Sequence, residues 1–342
     1  MLNKKNKLML LASAGALTLA AAGVAQASTL EETRNRGAVQ CGVSDGLPGF
    51  SAPDDEGEWQ GLDVDVCRAV AAAVFGDAEA VRYVSLNAVE RFTALQSGEV
   101  DVLSRNTTWT TTRDTTLGLN FTGVTFYDGI GFMIHTEMGI DSAKELDGAA
   151  ICVQSGTTTE LNVADYFRAN GMEFDPIVFD TSEQTVGGYE AGRCDVLTSD
   201  TSQLAALRIQ LSEPDASKIL PEIISKEPLG PVVRQGDDQW FNIVKWSLFA
   251  MLNAEEMGIT SDNVDEMLES DDPDIARLLG QDGNYGEGMG LSADWAYQIV
   301  KQVGNYGESF ERNVGMDSPL EIERGLNALW TDGGIQYAPP IR

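Results

Sequence analysis

From Gly37 onward, short apolar runs alternate with longer stretches in which apolar residues recur at helical spacing. Residues 38–43 read as a strand, followed by a loop at Leu47-Pro48-Gly49-Phe50 and a hairpin turn at Asp54-Asp55-Glu56-Gly57. Residues 61–75 read as a helix opened by Asp63 and Asp65, acids that suit the positive end of a helix dipole. A strand at 81–84, a helix at 88–96 stopped near Gly98 and a strand at 100–103 complete a β-α-β-α-β order. Strands joined through helices pair in parallel, so a mainly parallel sheet is expected.

After Glu137-Met138-Gly139 a second unit follows the same plan. Its strands are expected at 149–153, 177–179 and 194–198, with helices ending near Phe167 and spanning 183–191. Between the first strand and the first helix lies the polar turn Gln154-Ser155-Gly156-Thr157-Thr158-Thr159-Glu160. Residues 221–231, rich in proline and glycine, read as a connector, and 240–251 as a strongly apolar helix. Shorter helices are expected at 263–269, 274–279 and 293–303. Gly283-Asn284-Tyr285-Gly286-Glu287 recurs as Gly304-Asn305-Tyr306-Gly307-Glu308, and both copies read as loop punctuation around the last of these. The tail Tyr337-Ala338-Pro339-Pro340 is expected to lie extended against a lobe.

One stretch fits neither period: Arg105-Asn106-Thr107-Thr108-Trp109-Thr110-Thr111-Thr112-Arg113. Such a run of donors needs partners: water, neighbouring backbone or an anionic ligand. It follows the end of the 100–103 strand, and in parallel sheets ligands bind outside the carboxyl ends of strands. That position makes a polar surface loop a candidate ligand loop.

Lys4, Lys5 and Lys7, an apolar run from Leu8 to about Val24 and then Ala25-Gln26-Ala27 have the order of a secretory leader. Cleavage near Ala27/Ser28 would release an exported, soluble chain whose length suits two lobes. Losing three lysines takes the formal charge from −30 to −33. Such a surface repels phosphate backbones and anionic lipid, so nucleic acid and membrane faces are poor partners. The four cysteines, Cys41, Cys67, Cys152 and Cys194, are even in number in an exported chain, which favours disulfides. Their spacing favours Cys41–Cys67 and Cys152–Cys194. Two other connectivities, or free buried thiols, stay open.

Catalytic signatures are missing. The single histidine, His135, sits among apolar residues, where a structural role is expected, and no G-x-S-x-G, H-E-x-x-H, Walker A or G-x-G-x-x-G is present. The residues suit a small zwitterion instead. Arg113 offers a bidentate guanidinium for a carboxylate, and Gly156-Thr157-Thr158 offers the N–H groups of a helix start. Asp200, at a strand end, offers a carboxylate for an ammonium. Taken singly, each has a plainer role: surface charge for Arg113, a helix cap for the threonines, a turn for Asp200.

Gly61-Leu62-Asp63-Val64-Asp65-Val66 with Val70-Ala71 and Val74, then Arg91-Phe92-Thr93-Ala94-Leu95-Gln96-Ser97-Gly98-Glu99-Val100-Asp101, resemble family 3 extracellular solute-binding proteins, the amino-acid receptors of ABC importers. Thr108-x-Thr110-x-x-Arg113, Gly156-Thr157-Thr158 and Asp200 after Asp195-Val196-Leu197 continue the resemblance. Three further stretches look like its general L-amino-acid, or glutamate/glutamine/aspartate/asparagine, binding subfamily: Gly46-Leu47-Pro48-Gly49-Phe50-Ser51-Ala52-Pro53-Asp54, Gly236-Asp237-Asp238-Gln239-Trp240-Phe241 and Val303-Gly304-Asn305-Tyr306-Gly307-Glu308. Gly123-Val124-Thr125-Phe126-Tyr127 departs from the family, which commonly carries a proline before the aromatic.

The resemblance implies an α/β, two-lobed periplasmic-binding-protein fold of type II. Each lobe would be a mainly parallel sheet flanked by helices, joined by two hinge crossovers. Residues 28–134 with 232–342 would form lobe 1 and its C-terminal extension, and 138–229 lobe 2. Arg113, with the Thr108 and Thr158 N–H groups, would clamp the ligand's α-carboxylate. Asp200, the Asn106 carbonyl and the Thr108 hydroxyl would hold its α-ammonium, with Thr110, Thr157 and Gly156 beside them. Apart from the resemblance, Arg105, eight residues before Arg113, offers a guanidinium either to the ligand side chain or to one of the many surface acids, and Phe50 and Trp109 offer rings for the ligand's aliphatic part. The implied protein is a periplasmic monomer without metal or cofactor, partnered by a free L-amino acid and a membrane permease. Two alternatives differ in class. A cyclohexadienyl-dehydratase-like enzyme on this fold would consume prephenate or arogenate, and a sensing receptor would need a membrane span.

Overall fold

The computed structural model describes residues 28–342, and the expected leader lies outside the described residues. In the first sheet, Val39–Val43 pairs in parallel with Val81–Ser85 on one side and Val102–Leu103 on the other. Beyond Val102–Leu103 come Val232–Arg234 and Leu119–Phe121, each antiparallel to its neighbour. The second sheet repeats the plan. Ala149–Gln154 lies parallel to Phe174–Phe179 and Val196–Asp200, and Ile130–His135 and Ser217–Ile219 extend it antiparallel. Four strands of each sheet thus run the same way and one, Val232–Arg234 or Ile130–His135, runs against them, so the expected mainly parallel sheets each carry one reversed strand. Val232–Arg234 and Ile130–His135 each arrive from the other lobe, enter at the cleft end and run against the strands that lead towards it.

The two crossings form their own ribbon. Phe126–Asp128 pairs antiparallel with Glu227–Leu229, so that Asp128 lies opposite Glu227. A Cβ on Gly230 would lie 1.9 Å from the Gly123 carbonyl oxygen, so only glycine lets the crossovers run this close. The stretch read from sequence as a connector thus contains a hinge strand.

The long helix Asp238–Glu256 starts where the Asp237 side chain accepts the Trp240 N–H at 2.9 Å. Its apolar face packs against Leu62–Phe75 and Trp295–Val303 in the core of the first lobe. The second Gly-Asn-Tyr-Gly-Glu copy is not loop punctuation. Asn305 and Glu308 make a capping box that opens the helix Tyr306–Asn313. The tail is held where Asn253 Nδ2 donates to the Pro339 carbonyl at 3.0 Å. That C-terminal region also grips the first crossover. Asn327 Oδ1 accepts the Tyr127 N–H at 2.6 Å and its Nδ2 donates to the Tyr127 carbonyl at 3.2 Å, while the Tyr306 hydroxyl donates to Thr125 O at 2.7 Å.

Both disulfides join the expected partners, Cys41–Cys67 in the first lobe and Cys152–Cys194 in the second. Neither spans the hinge. His135 stacks on Tyr189 at 4.2 Å between ring centroids, a structural setting. Replacing Cys152 and Cys194, 42 residues apart, by serine should cost about 4 kcal/mol through the freed unfolded chain. The shorter Cys41–Cys67 loop, with a separation of 26, should cost about 3.5 kcal/mol. Urea unfolding of the two double variants measures this, and unchanged midpoints would contradict it.

Candidate functional site

In both sheets the first of the three parallel strands, Val39–Val43 or Ala149–Gln154, sits between the other two, so the strand order reverses beside it. A crevice opens there at the strands' carboxyl ends. In the first lobe the loop after Val102–Leu103 fills it. Asn106 takes φ 32°, in the left-handed region that asparagine tolerates better than most residues. Asp63 holds this turn by accepting Asn106 N at 2.8 Å and Ser104 Oγ at 3.4 Å. Burial raises the Asp63 carboxyl to about 6, opposed by the Asn106 N–H and the Arg105 charge. Asp63 therefore anchors the ligand loop, beyond the helix-start role its position suggested.

The same loop is stitched to the hinge. Trp109 N donates to Pro228 O at 2.8 Å and Gly230 N to Thr107 O at 3.1 Å, with Thr108 bridging Leu229. Arg113 lies in the short helix Thr111–Thr115, capped by Thr110, whose hydroxyl accepts Arg113 N at 3.3 Å. Its guanidinium donates to Thr108 O at 2.8 Å and sits 5.1 Å from the Phe92 ring centroid.

From the second lobe, Val196–Asp200 delivers Asp200 to the crevice, and Ala149–Gln154 leads into the turn that opens Thr158–Asn170. Gly156 has φ 72°, and a Cβ there would lie 3.0 Å from Val89 Cγ2 across the cleft. The lobes touch directly: Asn106 Nδ2 donates to Gln203 Oε1 at 3.1 Å, and the Thr108 and Thr158 hydroxyls lie 3.4 Å apart.

Between them is a narrow cavity of ≈ 20 Å³, lined by Arg105, Asn106, Thr108, Thr157, Thr158 and Asp200 among the expected residues. A space of that size holds about one water, so anything larger enters only when the lobes part. Arg113, Thr110 and Gly156 line an adjoining outer pocket of ≈ 740 Å³, which shares Thr108, Thr157 and Thr158 with the inner one. Phe50 is not brought here. It is buried in the core of the first lobe, edge-on to Phe126 at 5.6 Å, with its carbonyl accepting Asp63 N at 2.9 Å at the start of the helix Leu62–Phe75. Trp109 stacks on Phe121 at 5.4 Å and is largely turned outward.

Sequence reasoning missed Arg91, Gln203 and Glu227. Arg91 and Gln203 line the cavity, and Glu227 the outer pocket. An arginine opening the helix Arg91–Ser97, next to its apolar face, was a usable signal for Arg91.

The cavity concentrates charge that its own residues do not fully satisfy. Arg91 is 3% exposed, and among the described residues its Nε has no hydrogen-bond partner. Burial, then the Arg113 and Arg105 charges, press its pKa well down. Burial likewise lowers Arg105, against Asp45, Asp63 and Asp200, and lowers Arg113 to about 10, against Glu227 and Asp200. A guanidinium does not shed its proton in a protein, so these shifts measure strain on the charge that an anion would relieve. Asp200 is pushed well up by burial, then by Asp128 and Glu227. Among the described residues its Oδ1 and Asn106 Oδ1 both lack partners.

Residues 39–262 match the bacterial extracellular solute-binding proteins, family 3. Over 99% of this chain and 100% of the relative, the chain is 60% identical to the general L-amino acid-binding periplasmic protein AapJ of Rhizobium johnstonii. Over 96% of the chain and 98% of the relative it is 53% identical to the glutamate/glutamine/aspartate/asparagine-binding protein BztA of Rhodobacter capsulatus. A solved ABC transporter periplasmic binding protein from Brucella ovis with glutathione bound superposes with a TM-score of 0.91 at 59% identity, covering 93% of this chain and 100% of that one.

The folded state holds the Asp200 proton more tightly than the unfolded chain, whose aspartates titrate near 3.9. The Asp200 contribution to the stability of the unliganded protein is therefore lost as pH rises above about 4. Asp200→Asn removes that penalty, so its stability advantage over wild type should grow as pH rises above about 4. Guanidinium unfolding of both proteins across this range tests the sign, and a pH-independent difference would contradict it.

Proposed function

The chain belongs to the bacterial extracellular solute-binding proteins of family 3, and on that premise we propose that it closes on free L-amino acids and delivers them to the permease of an ABC importer. One observation carries the proposal: Asp200 Oδ1 and Asn106 Oδ1, two acceptors without partners among the described residues, line one narrow cavity with the Thr108 hydroxyl. An ammonium has donors for all three, and its charge compensates Asp200 where burial makes an unpaired carboxylate costly. The carboxylate of the same zwitterion then meets the Arg113 guanidinium and the Thr108 and Thr158 N–H groups, with Thr110, Gly156 and Thr157 shaping its surroundings. Arg105 and Arg91 face what remains of the ligand, and two guanidiniums favour a side-chain carboxylate or amide oxygen. That preference agrees with the names of the AapJ and BztA relatives, and glutathione, which carries a glutamyl zwitterion, belongs in the ligand screen.

Closure supplies the signal. Contacts from both lobes are made to one ligand, so the ligand shifts the open–closed equilibrium towards the sealed form. That form, as a monomer freed of its leader in the periplasm, presents a surface built from both lobes to the permease.

A thermal-shift screen of the unliganded protein against the common amino acids is the direct test. At one fixed concentration the shift should be largest for glutamate, aspartate and their amides, and a ligand present at 100 times its dissociation constant should add about 2.7 kcal/mol. No shift with any of them would overturn the proposal. Arg113→Ala should weaken every amino acid by about 3 kcal/mol or more, on the order of 100-fold. Arg105→Ala should instead weaken glutamate and aspartate far more than a neutral aliphatic amino acid. Equal losses across ligands would remove Arg105 as a side-chain reader.

A further inference from the structure

Glu227 lies on the second crossover strand, is 1% exposed and takes no part in the ligand contacts above. Its carboxylate gathers donors. Oε1 accepts from Asn162 Nδ2 at 2.9 Å and Ser225 Oγ at 2.7 Å, and Oε2 accepts from Thr158 Oγ1 at 2.9 Å. Ser225 can spare its proton because its oxygen accepts Ile130 N at 3.2 Å.

A hydroxyl has one proton and a carboxylate has none, which sets the direction of every bond along this line. Thr158 spends its proton on Glu227, so across the 3.4 Å contact between the two hydroxyls Thr108 must be the donor. Thr108 Oγ1 then has only lone pairs left for the cavity. We propose that Glu227 is a positioning residue that works through Thr158 to make the Thr108 hydroxyl an obligate acceptor, and so selects an α-ammonium over an α-hydroxyl. This rests on the amino-acid reading above and adds what selects the amine. An ammonium gives a proton to each of Asp200, Asn106 Oδ1 and Thr108. An α-hydroxyl has one proton to give and leaves the other acceptors buried and unpaired.

The test compares binding of L-glutamate and L-2-hydroxyglutarate by titration calorimetry. In wild type, glutamate should bind at least about tenfold more tightly. Glu227→Met and Thr158→Val each free the Thr108 proton to point into the cavity, and each should shrink that ratio about tenfold, mainly by weakening glutamate. Thr158→Ser keeps the hydroxyl and should keep the wild-type ratio. In the double variant the ratio should fall no further than in either single one, because both act on the same proton. Should Glu227→Met fail to fold, the contrast between Thr158→Val and Thr158→Ser still decides the matter. Equal weakening of both ligands, or a ratio unchanged in Thr158→Val, would overturn the proposal while leaving amino-acid binding intact. Failure of the wild type to bind glutamate would overturn the parent reading and this one with it.

Discussion

Charge buried faster than it is paired is the constraint on which this structure turns. Arg91, Arg105 and Asp200 face one narrow cavity with Arg113 beside it; the arginines repel one another, Asp200 offsets them only in part, and among the described residues Arg91 Nε, Asp200 Oδ1 and Asn106 Oδ1 have no partner. Desolvating such groups costs several kcal/mol each unless something pairs them. A ligand bearing both charges in fixed geometry removes most of that cost at once. The closed form is therefore expensive alone and favourable with a zwitterion, the energetic requirement for a receptor that reports occupancy by shape.

The hinge and the site are one piece of backbone chemistry. Thr107, Thr108 and Trp109 are bonded to the second crossover, and Glu227 on that crossover holds Thr158 at the helix start of the opposite lobe. Movement of the crossovers thus moves ligand-binding groups directly. The C-terminal region, beyond the family-matched segment, binds the first crossover through Asn327 and Tyr306 and limits how that strand can flex. Keeping each disulfide within one lobe leaves the hinge free.

Much of this was legible in the chain. Strand ends are marked by a switch from apolar to polar residues, so Arg105, Asn106 and Asp200 could be placed at the mouths of strands before any coordinates. Cysteine spacing indicated both bridges. Other features were hidden because their signal is tertiary. Phe50 reads as an exposed loop aromatic, yet the loop turns inward and its ring meets Phe126. Glu227 sits in a proline-rich connector that looks unstructured in sequence, and its importance arises only when Thr158 and Asn162 arrive from 65 to 69 residues away. The one reversed strand in each sheet was hidden for a similar reason: its direction depends on which lobe the chain has just left. The second Gly-Asn-Tyr-Gly-Glu copy becomes a helix start because its Glu308 also binds Ser261, a contact spacing alone does not reveal.

The central claim is that both charged ends of one ligand are required to seal the cleft. Titration calorimetry with L-glutamate, N-acetyl-L-glutamate and the α-amide of L-glutamate tests it on the unmodified protein. Acetylation removes the ammonium and leaves Asp200 unpaired, whereas the amide removes the carboxylate from Arg113. Glutamate should bind, and each derivative should lose on the order of 100-fold or more in affinity. Binding of either derivative as tightly as glutamate would contradict the claim.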